Sequence, residues 1–453
     1  MSRVAVVGGG LAGITTALEL ADAGRDVVLL ESRPKLGGLT HSFERDGRWI
    51  DNGQHVFLRC CTSYLRLLDR LGVRDQVHLQ PRLDVPVRSG RHSGVGRIRR
   101  NKLPAPLHLG PALATYRWLS PMERVQAVRG ALAMGRLDRT APDTDAQSFG
   151  AWLTAHGQNA RAVEALWELI GIATLNARAD DASLAVAATV FQIGLLEHSD
   201  AADIGWSLVP LQQLHGDAAA RALAAAGVDV RLRARVRAVD GGDESRWQIE
   251  GEAYDDVVLA VPPTEAAGLL PEEAVDLLTG WAEALGSSPI VNAHVVLDRV
   301  VLDEPFVAGV DTPLQWVFDR TRHSGADREG TEQYLAISLS AADGLIDTPV
   351  AELREALVPA LRRLLPAAAD ARVKEFFVTR ERHATFRPAP GSGRYRPGPA
   401  TRRPGLHLAG AWTATGWPAT MEGAVRSGES AAASVLRTPL RGSAAVPAED
   451  VLS

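Results

Sequence analysis

A chain of 453 residues, 46% of them hydrophobic, exceeds the usual span of one compact core and carries enough apolar material for two domains, which excludes a disordered or fibrous protein. A formal charge of −5 and an isoelectric point near 6.2 provide no broad basic field, so nucleic acid is not an expected partner. The only cysteines, Cys60 and Cys61, are adjacent and offer no disulfide framework, the opening residues lack a secretory signal, and no apolar run approaches the roughly 20 residues of a spanning helix, so a cytoplasmic protein is expected, soluble or peripheral on the membrane face.

The first elements read as a strand over 3–7, a glycine turn, a helix over 11–23 broken at Gly24, and a strand over 26–31, which is one βαβ unit. A stretch at 80–205 is helical in pattern and interrupts this fold. From Pro210 the pattern returns to an Ala-rich helix (216–226), strand-like runs at 228–232 and 235–239, and a strand at 256–261 stopped by Pro262 and Pro263. A second interruption, 270–404, is mixed, with alternating runs at 290–297 and 334–339. The last core strand, 405–408, leads through a glycine turn into a helix at 422–436. The expected fold is therefore α/β: a Rossmann-type dinucleotide domain built from 1–79, 206–269 and 405–437, an inserted α+β substrate domain from 80–205 and 270–404, and an unstructured tail from 438.

Gly8, Gly10 and Gly13 have the spacing that lets the chain turn tightly, brings backbone close to a pyrophosphate, and packs helix on strand. Glu31 stands about 20 residues further on, where a carboxylate accepts from ribose hydroxyls. Together they make a dinucleotide site. The run Glu31, Ser32, Arg33 to Gly37 and Gly38 adds a second close backbone approach, which suits the longer FAD better than NAD. Late in the chain, Gly410, Ala411 and the helix start at Met421, Glu422 and Gly423 offer backbone N–H groups to the anion of reduced flavin.

These segments resemble the amine oxidase and phytoene desaturase flavoprotein superfamily over nearly the whole chain. Within it, the segments 51–61, 315–320, 384–386 and 415–428 are similar to the hydroxysqualene dehydroxylases, squalene-associated flavoproteins of bacterial hopanoid synthesis. Ala411 departs from the superfamily pattern, which often has Asp there. Motifs and resemblance together give an FAD contact set of Gly8, Gly10, Leu11, Ala12, Gly13, Glu31, Ser32, Arg33, Gly37, Gly38, Leu39, Thr40, Gly53, Gln54, His55, Val236, Gly410, Ala411, Met421, Glu422 and Gly423. No metal ligand set is assigned.

The resemblance implies reductive removal of an allylic hydroxyl from a C30 isoprenoid, with hydride from reduced FAD, and an electron donor of unknown identity to reload it. Hydroxide leaves poorly, so a general acid is needed, worth about 10² to 10⁴ in rate. Asp51 and His55 are the candidates; Asp51 can equally hold its turn through hydrogen bonds, and His55 can simply pack. Trp316, Trp412 and Trp417 are either pocket walls or core aromatics. The arginine-rich stretch 88–102, containing no acid and followed by apolar residues, either docks on an anionic membrane or is a solvated loop. Three alternatives stay open: a carotenoid or phytoene desaturase, an amine oxidase, and a non-catalytic prenyl carrier. The scarcity of lysine (Lys35, Lys102 and Lys374) weighs against the second, and the intact glycine motif with Glu31 against the third.

Overall fold

The computed structural model describes residues 2–437 except 242–245, 272–273, 278, 326–329 and 331; the expected tail from 438 lies outside the described residues. Its centre is a five-stranded parallel sheet in the order Asp229–Leu232, Asp26–Glu31, Arg3–Val7, Asp256–Leu259, Leu406–Leu408. Three distant stretches of chain therefore build one sheet. Val4, Ala5 and Val6 are wholly buried because both faces are covered, as continuous apolar strands of parallel sheets require. On one face lie the first helix, Leu11–Asp22, and the terminal helix, Met421–Arg437, in close contact: a Cβ on Gly428 would stand 2.4 Å from the Ala12 carbonyl oxygen. Thr16 Oγ1 donates to the Gly428 carbonyl across the crossing.

The expected strand at 235–239 does not form. Arg233 takes a positive φ of 56°, and Arg233 N and Ala234 N donate to the carbonyls of Arg33 and Glu31, so the chain turns off the edge of the sheet.

The second sheet has seven strands in the order Val373–Phe386, Ser287–Leu297, Gln333–Leu339, Trp316–Asp319, Phe306–Val310, Asp84–Ser89, Val95–Arg99. The helix Val350–Leu364 packs its Leu353, Leu357 and Leu361 against one face. The last two strands come from the stretch expected to be helical. They form a hairpin whose first strand runs parallel to Phe306–Val310. Arginines at the end of this hairpin find acids within it and beyond it: Arg97 meets Asp84 and Glu304, Arg99 meets Asp84 at 3.2 Å, and Arg100 meets the buried Asp203 at 2.6 Å. Three of the six cations of 88–102, Arg97, Arg99 and Arg100, are therefore paired with acids, and the stretch from 84 to 99 is a hairpin rather than a loop. Most of the rest of 80–205 is helical, and with the hairpin and strand residues such as Phe306 and Phe318 it buries Trp118, Phe149, Trp152 and Trp167 in one core.

Candidate functional site

The first glycine turn is shaped by contacts only glycine permits. A Cβ on Gly13 would lie 1.9 Å from the Gly8 carbonyl oxygen, and one on Gly8, where φ is +111°, would lie 2.3 Å from that of Ala260. Ile14 N returns to Gly10 O, which leaves the N–H groups of Leu11, Ala12 and Gly13 without acceptors among the described residues, at the positive end of a 12-residue helix. That is an anion cradle. Glu31 is buried at the end of its strand, accepting from Gly9 N at 2.6 Å through one oxygen and from Arg33 N at 2.6 Å and Ser32 Oγ through the other.

The second glycine pair docks on the first turn. Gly37 N donates to Gly9 O at 2.9 Å, both Gly37 and Gly38 have positive φ, and a Cβ on Gly38 would touch Gly10 Cα at 3.0 Å. Thr40 closes the loop by bonding Gly37 O, and Leu39 stays exposed. Val236 is partly buried and lines a recess with Leu30 and Ala234.

The terminal segment is held by a residue that sequence reasoning missed. Arg396 points its guanidinium into the turn 411–417 and donates to the carbonyls of Ala411, Trp412, Thr413 and Trp417, with its face 4.5 Å from the Phe386 ring centroid. Burial lowers its pKa to about 10. No local pattern marks this arginine among the many. Gly410, at φ +144°, is fixed by Ser427 Oγ. Of the three N–H groups expected to face the flavin, that of Gly423 is taken by Thr420 Oγ1 at 3.1 Å, leaving those of Met421 and Glu422. The Glu422 side chain turns away from the site: its carboxylate caps the helix Thr62–Arg70 through Ser63 N and Tyr64 N and pairs with Arg426. Trp412 is a core residue stacked on Trp281, and Trp417 lies under Arg426.

Asp51 and His55 are brought near one another with unequal freedom. The Asp51 carboxylate is buried and fully engaged, accepting from Ser42 Oγ at 2.6 Å, Leu211 N at 3.0 Å and Arg320 Nη2 at 2.7 Å. It ties the second glycine loop to the middle of the chain. His55 places Nδ1 3.0 Å from Gly53 O, which assigns the proton to Nδ1 and leaves Nε2 an acceptor. Burial, opposed by the Gly53 carbonyl and Asp51, pushes its pKa below the ordinary value. The ring borders a narrow recess with Gln54, Val56, Trp206, Phe306, Phe318 and Arg320. Trp316 extends this aromatic wall, 5.8 Å from Phe306 between ring centroids. Beside it, Gln54 Nε2 and the Oδ1 of buried Asn292 have no partner, and Asn292 stands against Gly53. Behind His55, Tyr64 Oη meets His215 Nε2 at 2.8 Å in a fully buried pair, where burial, with His55 nearby, pulls His215 down to about 3.

A glycine cradle that admits no Cβ, free N–H groups at two helix starts, a buried carboxylate at the end of the strand next to the cradle and orphaned polar atoms beside Gly53 fit an extended dinucleotide bearing a flavin. Fold and site define a two-domain flavin-dependent oxidoreductase. The chain matches the family described as flavin containing amine oxidoreductase over residues 11–436, and it belongs to that family; its cofactor is FAD. Hydroxysqualene dehydroxylase of Sinorhizobium fredii is 28% identical over 95% of this chain and 97% of its own length. Zeta-carotene desaturase of Synechocystis sp. is 25% identical over 97% and 98%. Among solved structures, putrescine oxidase bound to putrescine superposes with a TM-score of 0.70 at 21% identity, covering 96% of this chain and 99% of that one, a likeness of fold.

Proposed function

We propose that this enzyme reductively removes an allylic hydroxyl from a C30 isoprenoid, converting hydroxysqualene to squalene. The observation that carries the reading is the recess of Trp206, Phe306 and Phe318, whose lining holds two acid–base groups: Asp319, whose oxygens accept from Thr321 and Gln333, and His55, whose Nε2 is left as an acceptor. Such a wall accepts a hydrocarbon and, through its ring faces, an allylic cation. None of the three lysines lines it: Lys35 donates to Ser42 O, Lys374 pairs with Glu332, and Lys102 is exposed, which weighs against an amine substrate. The relatives of similar length that act on apolar isoprenoids support the substrate class.

When bound, reduced FAD supplies the hydride. In this reading His55 Nε2 first accepts from the substrate hydroxyl and orients it. Having taken up a proton from solvent, the ring would then donate it from Nε2 to that oxygen, which departs as water as the C–O bond breaks. The Met421 and Glu422 N–H groups, left without acceptors among the described residues at the helix start, would hold the negative charge of the reduced cofactor. Asp51, engaged on both oxygens, positions rather than donates.

The test is anaerobic: the flavin of the purified enzyme is reduced, and hydroxysqualene or phytoene is added separately. Reoxidation by hydroxysqualene with squalene as product is expected. No turnover of hydroxysqualene overturns the reading. Turnover of phytoene by the oxidised enzyme instead establishes the desaturase reading, which the 25% identity to a carotenoid desaturase keeps in play. Because the His55 pKa is lowered, the donor form grows only as pH falls below about 6.5, and the wild-type rate should rise on acidification, a dependence His55→Gln abolishes.

A further inference from the structure

The helix Pro121–Met134 turns its large apolar residues toward water. Its buried side is small, with Ala127 and Gly130 packed so closely that a Cβ on Gly130 would stand 3.0 Å from the Trp167 ring, and only Met134 adds bulk. Its large apolar residues point outward: Met122 is 65% exposed, Val125 49%, Val128 42% and Leu132 47%. Met122, Val125, Arg129, Leu132 and Arg136 recur at the spacing of one helical face, opposite Ala127 and Gly130. The preceding loop continues this surface with Leu103 at 46% and Leu107 at 60% exposure. Arg124 ties the helix to the segment that leads into it by donating to the carbonyls of Ala114, Tyr116 and Leu119.

The charge of this surface is as one-sided as its apolarity. Residues 101–136 hold five cationic side chains and a single carboxylate, Glu123, in a chain whose net charge is −5. Glu123 is spent on the Ser120 capping box and on Asn159. Lys102, Arg117, Arg129 and Arg136 are exposed, and none meets a carboxylate among the described residues. A second copy docking through the same face would set cations against cations. Apolar residues interleaved with unpaired cations instead match a surface of fatty acyl chains beneath anionic headgroups.

We propose that the face formed by the helix Pro121–Met134 and the loop at 102–111 rests on an anionic phospholipid bilayer. The proposal deepens the isoprenoid reading, since a C30 hydrocarbon dissolves in that bilayer, but it stands on the surface alone. The experiment is vesicle co-sedimentation of the flavin-loaded full chain, without substrate, so a failed turnover assay leaves it untouched. Binding to phosphatidylglycerol-containing vesicles, weak binding to pure phosphatidylcholine and release by salt are expected. Arg129→Gln with Arg136→Gln should weaken binding about 30-fold. Met122→Gln with Val125→Gln and Leu132→Gln should abolish it, with flavin absorbance and melting temperature retained. Arg88→Gln with Arg91→Gln, in the hairpin, should change nothing. The proposal is overturned by a wild type that ignores anionic vesicles, by equal binding to neutral ones, by full binding of the triple variant, or by self-association that the triple variant abolishes in the absence of vesicle binding.

Discussion

Asp51 and Arg320 meet at 2.7 Å with side-chain exposures of 6% and 9%, so removing one charge strands the other in a dry site. Asp51→Asn is expected to cost about 3–5 kcal/mol in denaturant unfolding of the flavin-loaded chain, and Arg320→Met in the same chain to recover part of it. A fully stable Asp51→Asn that loses only turnover would return Asp51 to the role of proton donor. His215 and His294 are both held neutral by burial, with pKa values near 3. Between about pH 3 and the ordinary 6.5 the unfolded chain holds these protons and the folded chain does not, so stability falls as pH drops below about 6.5 and is unaffected above it. Each contributes up to about 1.4 kcal/mol per pH unit. His215→Gln should flatten the decline of melting temperature on acidification by about one proton's worth; an unchanged slope would show that His215 is protonated in the folded chain. The sequence shows Asp51 and His55 as candidates but not their difference, because what separates them is Arg320, 269 residues away. That arginine sits in one of the motifs similar to the dehydroxylases, and only the folded pairing gives it a role.

At the scale of elements, Arg396 converts an irregular turn into a fixed wall by satisfying carbonyls that no helix or strand would otherwise reach. Arg396→Gln is expected to lose about 3 kcal/mol of stability and to weaken FAD binding, read by thermal melting and by flavin titration of the apoprotein. Unchanged flavin affinity with lowered stability would confine Arg396 to the scaffold. The elements legible in sequence were those with an uninterrupted period: the first βαβ unit and the alternating strands of the second sheet lie within a few residues of expectation. The hairpin Asp84–Ser89 and Val95–Arg99 was hidden because Pro86 and a run of arginines mask its alternation, and the acids that neutralise those arginines are supplied partly from distant strands. The run at 235–239 misled for the opposite reason. Its arginines alternate with apolar residues, but the positive φ at Arg233 turns it away from any partner strand.

For the whole molecule, a cofactor site made of the glycine turns, the strand ending in Glu31 and the terminal helix, as proposed, exists only in the folded chain, so FAD should bind the native chain and not the unfolded one. At a free concentration 100 times its Kd it should add about 2.7 kcal/mol, and removing it should lower the melting temperature; equal melting of apoprotein and holoprotein would mean that the site is not assembled from these parts. The α/β class and the three-part sheet were readable because glycine spacing and apolar strands are local signals. The seven-stranded sheet was readable only in part, because its order depends on pairings across hundreds of residues. The packing of the first helix against the last also fixes an order of events during synthesis. The strand Arg3–Val7 emerges first, yet its neighbour Asp256–Leu259 and the helix Met421–Arg437 that covers the cradle follow hundreds of residues later. At roughly 5–20 residues per second, the N-terminal βαβ unit waits on the order of tens of seconds on the ribosome with its apolar face open. Flavin loading is therefore expected only once the terminal helix has been made.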